Sequence, residues 1–147
     1  MRIRPADITD LPAIDRLIRE SYSKYIVRIG KPPFPMLDNY GNHVRAHTLW
    51  VTEDLAGLVV LIPEAEHLEL ETIAVSPAVQ GKGIGRALML FAETEARRRG
   101  YAELRLYTHE KMTENIALYA RAGWTHTHRA HQDGYDRVFF RKSVPAQ

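Results

Sequence analysis

Between a strand-like stretch ending at Val75 and a helical stretch starting near Gly85, the chain reads Gln80-Gly81-Lys82-Gly83-Ile84-Gly85. Glycines at alternate positions let a backbone approach an anion closely, and the free N–H groups of the helix start that follows point at it. Lys82 and Arg86 add positive charge at the same end. The combination predicts a phosphate or pyrophosphate site; a glycine-rich turn that holds nothing is the plainer alternative. The loop lacks the Gly-Lys-Ser/Thr of a Walker loop. It also fails the dinucleotide fingerprint: counted from Gly81, Arg86 stands where the third glycine belongs, and counted from Gly83, Leu88 does.

A second signal lies just upstream. Leu68 and Leu70 set an even-numbered apolar face, whereas Ile73 and Val75 set an odd-numbered one. Strand side chains alternate with a period of two, so this slip predicts an extra residue near Glu71-Thr72, a β-bulge, unless the strand is simply buried on both faces. Bulges bend a strand and open its pairing, often beside a site. Farther on, His126 and His128 alternate onto one strand face, with His131 nearby. No carboxylate or further histidine at a firm spacing completes a metal site there, so they read as solvated strand histidines and no metal is expected. The absence of cysteine excludes a disulfide framework, a thiolate metal site and a cysteine nucleophile.

The elements that must hold these residues follow from periodicity. Residues 2–4 read as a short strand, and Thr9 or Asp10 caps a helix whose apolar stripe runs Leu11, Ile14, Leu17, Ile18, Tyr22, Tyr25. Gly30 to Pro35 breaks it. A short helix follows over 38–46, then strands at 49–51 and 58–62, the second continuously apolar like a central strand. After the 68–75 strand come a helix over 85–99, a strand over 103–108, a helix over 113–122 and two strands joined around Asp133-Gly134. Strands with helices before and after the middle give a mixed α/β layer. A length of 147 residues suits one domain spanning 1–147, and 45% apolar with 26% charged residues excludes disordered and fibrous classes. No apolar run reaches the ~18 residues of a membrane span, and the N-terminus lacks a secretory core, so the chain reads as cytoplasmic with no membrane partner. A net charge of +2 without a basic stripe predicts no nucleic-acid partner, and Arg97-Arg98-Arg99 reads as the last turn of a helix ended by Gly100.

Val75-Ser76-Pro77 followed by Gln80 to Gly85 resembles motif A of the GNAT superfamily of N-acetyltransferases. Asn115-Ile116-Ala117-Leu118-Tyr119-Ala120-Arg121-Ala122-Gly123-Trp124 resembles its motif B, and the two stand in the family's order around one strand. The resemblance implies a central, mostly antiparallel sheet with one splayed parallel strand pair, helices on both faces, and acetyl-CoA as co-substrate in the gap. Backbone groups of Ile73, Ala74 and Val75 would pair with the pantetheine amides, and Gln80, Gly81, Lys82, Gly83, Ile84 and Gly85 would hold the pyrophosphate beside Arg86. By the same resemblance Tyr119 is the general acid, with packing on the sheet as its alternative use. Asn115 is a cofactor contact four residues before Tyr119, although many members carry that asparagine seven before, where this chain has Met112. Glu71, at the expected bulge, is the implied base, with Glu69 its rival. The acceptor lid would involve Tyr22, Tyr25, Arg28 and the segment from Pro32 to Tyr40, with Tyr107 lining the same pocket. The acceptor is an amine, on a small molecule or on a protein or peptide, and homodimers are common in the family. An acyl-CoA-binding sensor without turnover is the alternative from another class; it would need neither Glu71 nor Tyr119.

Overall fold

Residues 1–146 are described by a computed structural model. Seven strands form one sheet: β1 (Ile3–Pro5), β2 (Leu49–Thr52), β3 (Gly57–Pro63), β4 (Leu68–Val75), β5 (Glu103–His109), β6 (Thr125–Gln132) and β7 (Tyr135–Ser143). Their order is β1-β2-β3-β4-β5-β7-β6, with β4 and β5 parallel and every other neighbouring pair antiparallel. Five helices cover it: α1 (Leu11–Tyr22), α2 (Lys24–Ile29), α3 (Tyr40–Arg45), α4 (Ile84–Arg98) and α5 (Thr113–Arg121). None of them is long and apolar enough to cross a membrane.

The strand at the centre explains why helices lie on both faces. In β3, Val59 and Leu61 join the cluster beneath α4, whereas Leu58 and Val60 join the cluster beneath α1, α2 and α3. Its uninterrupted apolar run is therefore one side chain in each core at every step. Gly57, at its start, is tied to α4: a Cβ there would stand 2.8 Å from Ile84 Cγ2 and 3.0 Å from Leu88 Cδ1.

The slip in β4 is a bulge. Val60 pairs with Thr72 and Leu61 with Leu70, so Glu71 is the extra residue. Leu68, Leu70, Ile73 and Val75 accordingly all belong to the α4 side, and Ala74 to the other. Beyond the bulge the strand is also buried on both faces, at Thr72, Ile73 and Ala74. The bend ends the pairing with β5, which is confined to Leu68–Leu104 and Glu69–Arg105. From Leu70 onward the two parallel strands part.

Three local expectations are revised. The first helix does not run on to Tyr25; it breaks at Ser23 and restarts as α2. Asp10 stands at the start of α1 without capping it, because its carboxylate accepts the Asp7 N–H at 2.8 Å and Arg4 Nη1 and Nη2 at 2.8 and 3.0 Å. His126 and His128 do not share a face. A second bulge between them pairs His126 with Phe140 and His128 with Phe139, whose side chains leave β7 on opposite sides.

Candidate active site

Two clefts flank the end of β4 where it leaves β5. The first has about 1060 Å³ of free space and lies between β4, the start of α4 and α5. Ser76 N–H pairs with Ala56 on the β3 side, so Ala74, one period away, turns its amide group to β3 as well, and Ile73 and Val75 turn theirs to the gap. No strand meets them there. The Ile73 carbonyl instead accepts the Tyr22 hydroxyl at 2.6 Å, and the Val75 carbonyl accepts the Ser21 hydroxyl at 3.0 Å. Gly83 adopts φ +85° at the N-terminal end of α4, which an L side chain would strain. Its carbonyl takes the first intrahelical bond, from Ala87, leaving the N–H groups of Ile84, Gly85 and Arg86 without helical partners. Gln80, Gly81, Gly83, Ile84, Gly85 and Arg86 line this cleft, while Lys82 is exposed beside it. Unpaired strand N–H groups beside free helix N–H groups, with Lys24, Arg86 and Arg121 on the walls, fit a long anionic ligand that brings its own amides.

The second cleft, with about 520 Å³ of free space, lies on the far side of Ile73 and is roofed by Pro33, Phe34 and Pro35. The roof is pinned to the opposite end of the sheet: Tyr135 donates to the Pro32 carbonyl at 2.7 Å, and Lys31 Nζ to that of Gly134 at 2.6 Å. Glu71 projects from the bulge into this space, and Tyr119 reaches it from α5. Asn115 and Tyr22 border both clefts.

Residues 11–124 match the acetyltransferase (GNAT) family. The chain belongs to that family. It is 32% identical to an uncharacterized N-acetyltransferase, YjgM, of Escherichia coli, over 84% of this chain and 81% of that one. Its fold is similar to that of the PaiA N-acetyltransferase from Thermoplasma acidophilum in complex with coenzyme A, with a TM-score of 0.77, 23% identity and coverage of 97% and 98% of the two chains. It is similar also to YncA, a putative acetyltransferase of Salmonella typhimurium with acetyl-CoA, with a TM-score of 0.73, 22% identity and coverage of 100% and 95%. The GNAT chain is thus an acetyl-CoA-dependent N-acetyltransferase.

In this acetyltransferase Glu71 has surroundings that sequence reasoning missed. Its Oε2 is buried and accepts no hydrogen bond, but lies 3.4 Å from His43 Nε2, which is 2.7 Å from Asp38 Oδ2. His43 Nδ1 stands 3.0 Å from the Thr48 hydroxyl, which donates onward to the His43 carbonyl at 3.3 Å. That chain suits a ring protonated on both nitrogens. The bond to Asp38 raises the His43 pKa, and burial raises that of Glu71, with the Asp38 charge adding to it and the His43 charge opposing it. The three ligand atoms lie within 4.8 Å of one another, so these residues are also the group that could hold a cation. Nothing in the sequence announces the trio, because Asp38 and His43 reach Glu71 only through the packing of α3 on the sheet.

Glu69 is separated from this arrangement. It bonds His67 at 2.9 Å and lines a groove with Arg105, His126 and His128, apart from Glu71's cleft. Tyr119 is 4% exposed, packed 6.0 Å from the Trp124 ring and 5.7 Å from Phe140, and burial pushes its phenol pKa up. Among the described residues its hydroxyl bonds to no protein group. Packing and presentation to the cleft are both its lot.

The expected acceptor residues divide. Tyr107 lines the Glu71 cleft, as do Pro33, Phe34 and Pro35. Tyr22 borders it, but its hydroxyl is committed to Ile73, making it a clip between α1 and β4. Tyr25 lies instead on the first cleft, where Lys24 and Arg28 stand 5.1 and 5.2 Å from its ring; burial raises its pKa to about 12. Arg28 is no part of the roof either. It pairs with Glu114 at the start of α5, which Lys24 also meets at 3.3 Å, and this holds the Glu114 carboxyl down to about 2.

Proposed function

We propose that this single domain acetylates an amine bound in the cleft roofed by Pro33 to Pro35, with Glu71 as the base and Tyr119 as the acid. The observation that carries the reading is the placement of Glu71: a half-buried carboxylate at a bulge, lining the cleft that Tyr119 shares. A base must open onto the space its substrate occupies, and partial burial raises its proton affinity.

Acetyl-CoA, when bound, supplies an acetyl group activated as a thioester, which the amine takes directly. The amides of Ile73 and Val75 would pair with its pantetheine part and the loop from Gln80 to Arg86 would take its pyrophosphate; Ala74 lends only its surface. The Ile73 N–H is the donor available to polarise a carbonyl at the join of the two clefts. An ammonium cannot attack, so Glu71 removes its proton, directly or through water; the raised pKa brings this carboxylate nearer to neutrality and makes it a better proton acceptor. His43 and Asp38 are positioning residues, the imidazolium limiting how far the Glu71 pKa rises. Tyr119, kept neutral by burial, holds the proton that the departing thiolate needs. No step calls on a metal.

The experiment is release of free thiol from acetyl-CoA over a panel of amines, compared with Glu71→Gln. Thiol release that depends on both the amine and Glu71 supports the reading. A protein whose melting point acetyl-CoA raises but which transfers to no amine would be a binder.

A further inference from the structure

One charged group in the acceptor cleft has no task in the acetyl transfer. Arg137, on β7, lines the same cleft as Glu71 although only 7% of it is exposed. Its guanidinium carbon lies 4.3 Å from the Tyr107 ring centre and 5.7 Å from that of Tyr135, within cation–π range of both rings. Both of its hydrogen bonds leave Nη1, to Asp133 Oδ2 at 3.1 Å and Gln132 Oε1 at 3.4 Å. Among the described residues Nε and Nη2 bond to nothing. The Asp133 partner sits in the β6–β7 turn and is 81% exposed. A water-facing carboxylate gives little back to a cation that has been desolvated, so the pair does not account for Arg137's place.

The remaining titratable groups of the cleft narrow what Arg137 is for. Besides Glu71 and the tyrosines, its lining holds only His109. Burial lowers the His109 pKa, and its Nδ1 accepts the Lys111 N–H at 3.0 Å, as a neutral ring does. The cleft thus carries one anion at the bulge of β4 and one cation on β7, between walls of tyrosine, proline and Phe34.

We propose that the acceptor is a small amino carboxylate, an amino acid with an apolar body, whose carboxylate is held by the Nε–Nη2 edge of Arg137 while its amine meets Glu71. This rests on the roofed cleft being the acceptor site. A guanidinium edge matches a carboxylate with two parallel N–H···O bonds, which neither an amide nor an uncharged amine can accept with the same strength.

The test compares L-phenylalanine and L-methionine with their amides and decarboxylated amines, in the presence of acetyl-CoA. The free amino acids should exceed the matched amides in kcat/KM by on the order of 10²-fold. Arg137→Gln should bring that ratio close to one, chiefly through KM, and Arg137→Lys should recover part of it. Both variants should keep the acetyl-CoA-induced melting shift, which reports an intact fold. Calorimetric titration of amino acid into the CoA-loaded protein reads binding without turnover. Arg137-dependent binding without transfer would sink the catalytic reading and leave this one standing. Equal use of amino acids and amides, or equal loss of both in Arg137→Gln, would overturn it, as would a preference for peptide N-termini that carry no nearby carboxylate.

Discussion

Glu71 Oε2 lies 3.4 Å from Nε2 of His43, and the same nitrogen is 2.7 Å from Asp38 Oδ2, so one imidazole faces two carboxylates. Glu71 is desolvated and pushed up in pKa; His43, tied to Asp38, is pushed up as well. Burial thus raises the proposed base, and the neighbouring His43 opposes the rise.

Glu71→Gln should cut turnover ~10²–10⁴-fold at neutral pH and less at alkaline pH, where more of the acceptor amine is already free. Its effect on stability should have the opposite sign. A carboxyl whose folded pKa is raised favours the folded state below its unfolded pKa, and that contribution is lost as pH rises through the folded value. Glutamine mimics the protonated acid, so the variant should melt higher than wild type at neutral pH and converge with it near pH ~4. Scanning calorimetry at the two pH values checks both signs.

His43→Gln removes the positive charge that lowers the Glu71 pKa. The acid limb of the kcat/KM profile should then move to higher pH, while the alkaline plateau changes little. If His43 only supports the fold, activity would drop at every pH and the limb would stay where it is.

Tyr119→Phe should leave the acetyl-CoA-induced melting shift nearly intact and lower turnover by about 10²-fold, the lower end for general acid catalysis. The ring's contacts with Trp124 and Phe140 survive in phenylalanine, so stability should hardly move. Equal loss of binding and turnover would make Tyr119 a packing residue.

Gly83 and Gly85 should respond differently to substitution. A side chain at Gly83 meets nothing within 4 Å but must adopt φ +85°, so Gly83→Ala should destabilise the free protein by about 1 kcal/mol. Gly85 has no such conformation, and a Cβ there would sit 3.7 Å from Leu118 and Val75, in ordinary contact at the wall of the first cleft. Gly85→Val should therefore leave the free protein's melting point near wild type and abolish the shift of roughly 5–10 °C expected at ~100 times the dissociation constant of acetyl-CoA. A full shift in Gly85→Val would remove the phosphate assignment.

Chelation should not affect turnover. In the trio of Asp38, His43 and Glu71 the imidazole already serves one carboxylate by hydrogen bond and the other by charge. EDTA-dialysed protein should be fully active, and added Zn²⁺ should inhibit by occupying the base. Activity lost on dialysis and restored by the metal would make the trio a metal centre.

Much of this protein was legible in one dimension because its signals are local. The change of apolar parity between Leu70 and Ile73 pointed to a bulge near Glu71-Thr72 or to a strand buried on both faces, and the register shift opposite Val60 and Leu61 decided for the bulge at Glu71. Alternating glycines from Gly81 to Gly85 mark a helix start, and the continuous apolar run of β3 marks a central strand, which the structure places between two cores. What crosses the sheet was not legible. His43 stands 28 positions before Glu71, and Arg137 is 66 after it; no periodicity relates them, and only the packing of α3 sets His43 beside Glu71 and only the pairing of β5 with β7 brings Arg137 to the cleft that Glu71 lines. The same holds for Tyr25, whose helical spacing places it on the stripe of the first helix but which the packed structure sets on the first cleft, not the second. Local backbone chemistry determined where the strand opens and where a helix start with free N–H groups lies. Long-range packing decided which charges face that opening, because burial and Coulomb interaction depend on distance through space and not along the chain.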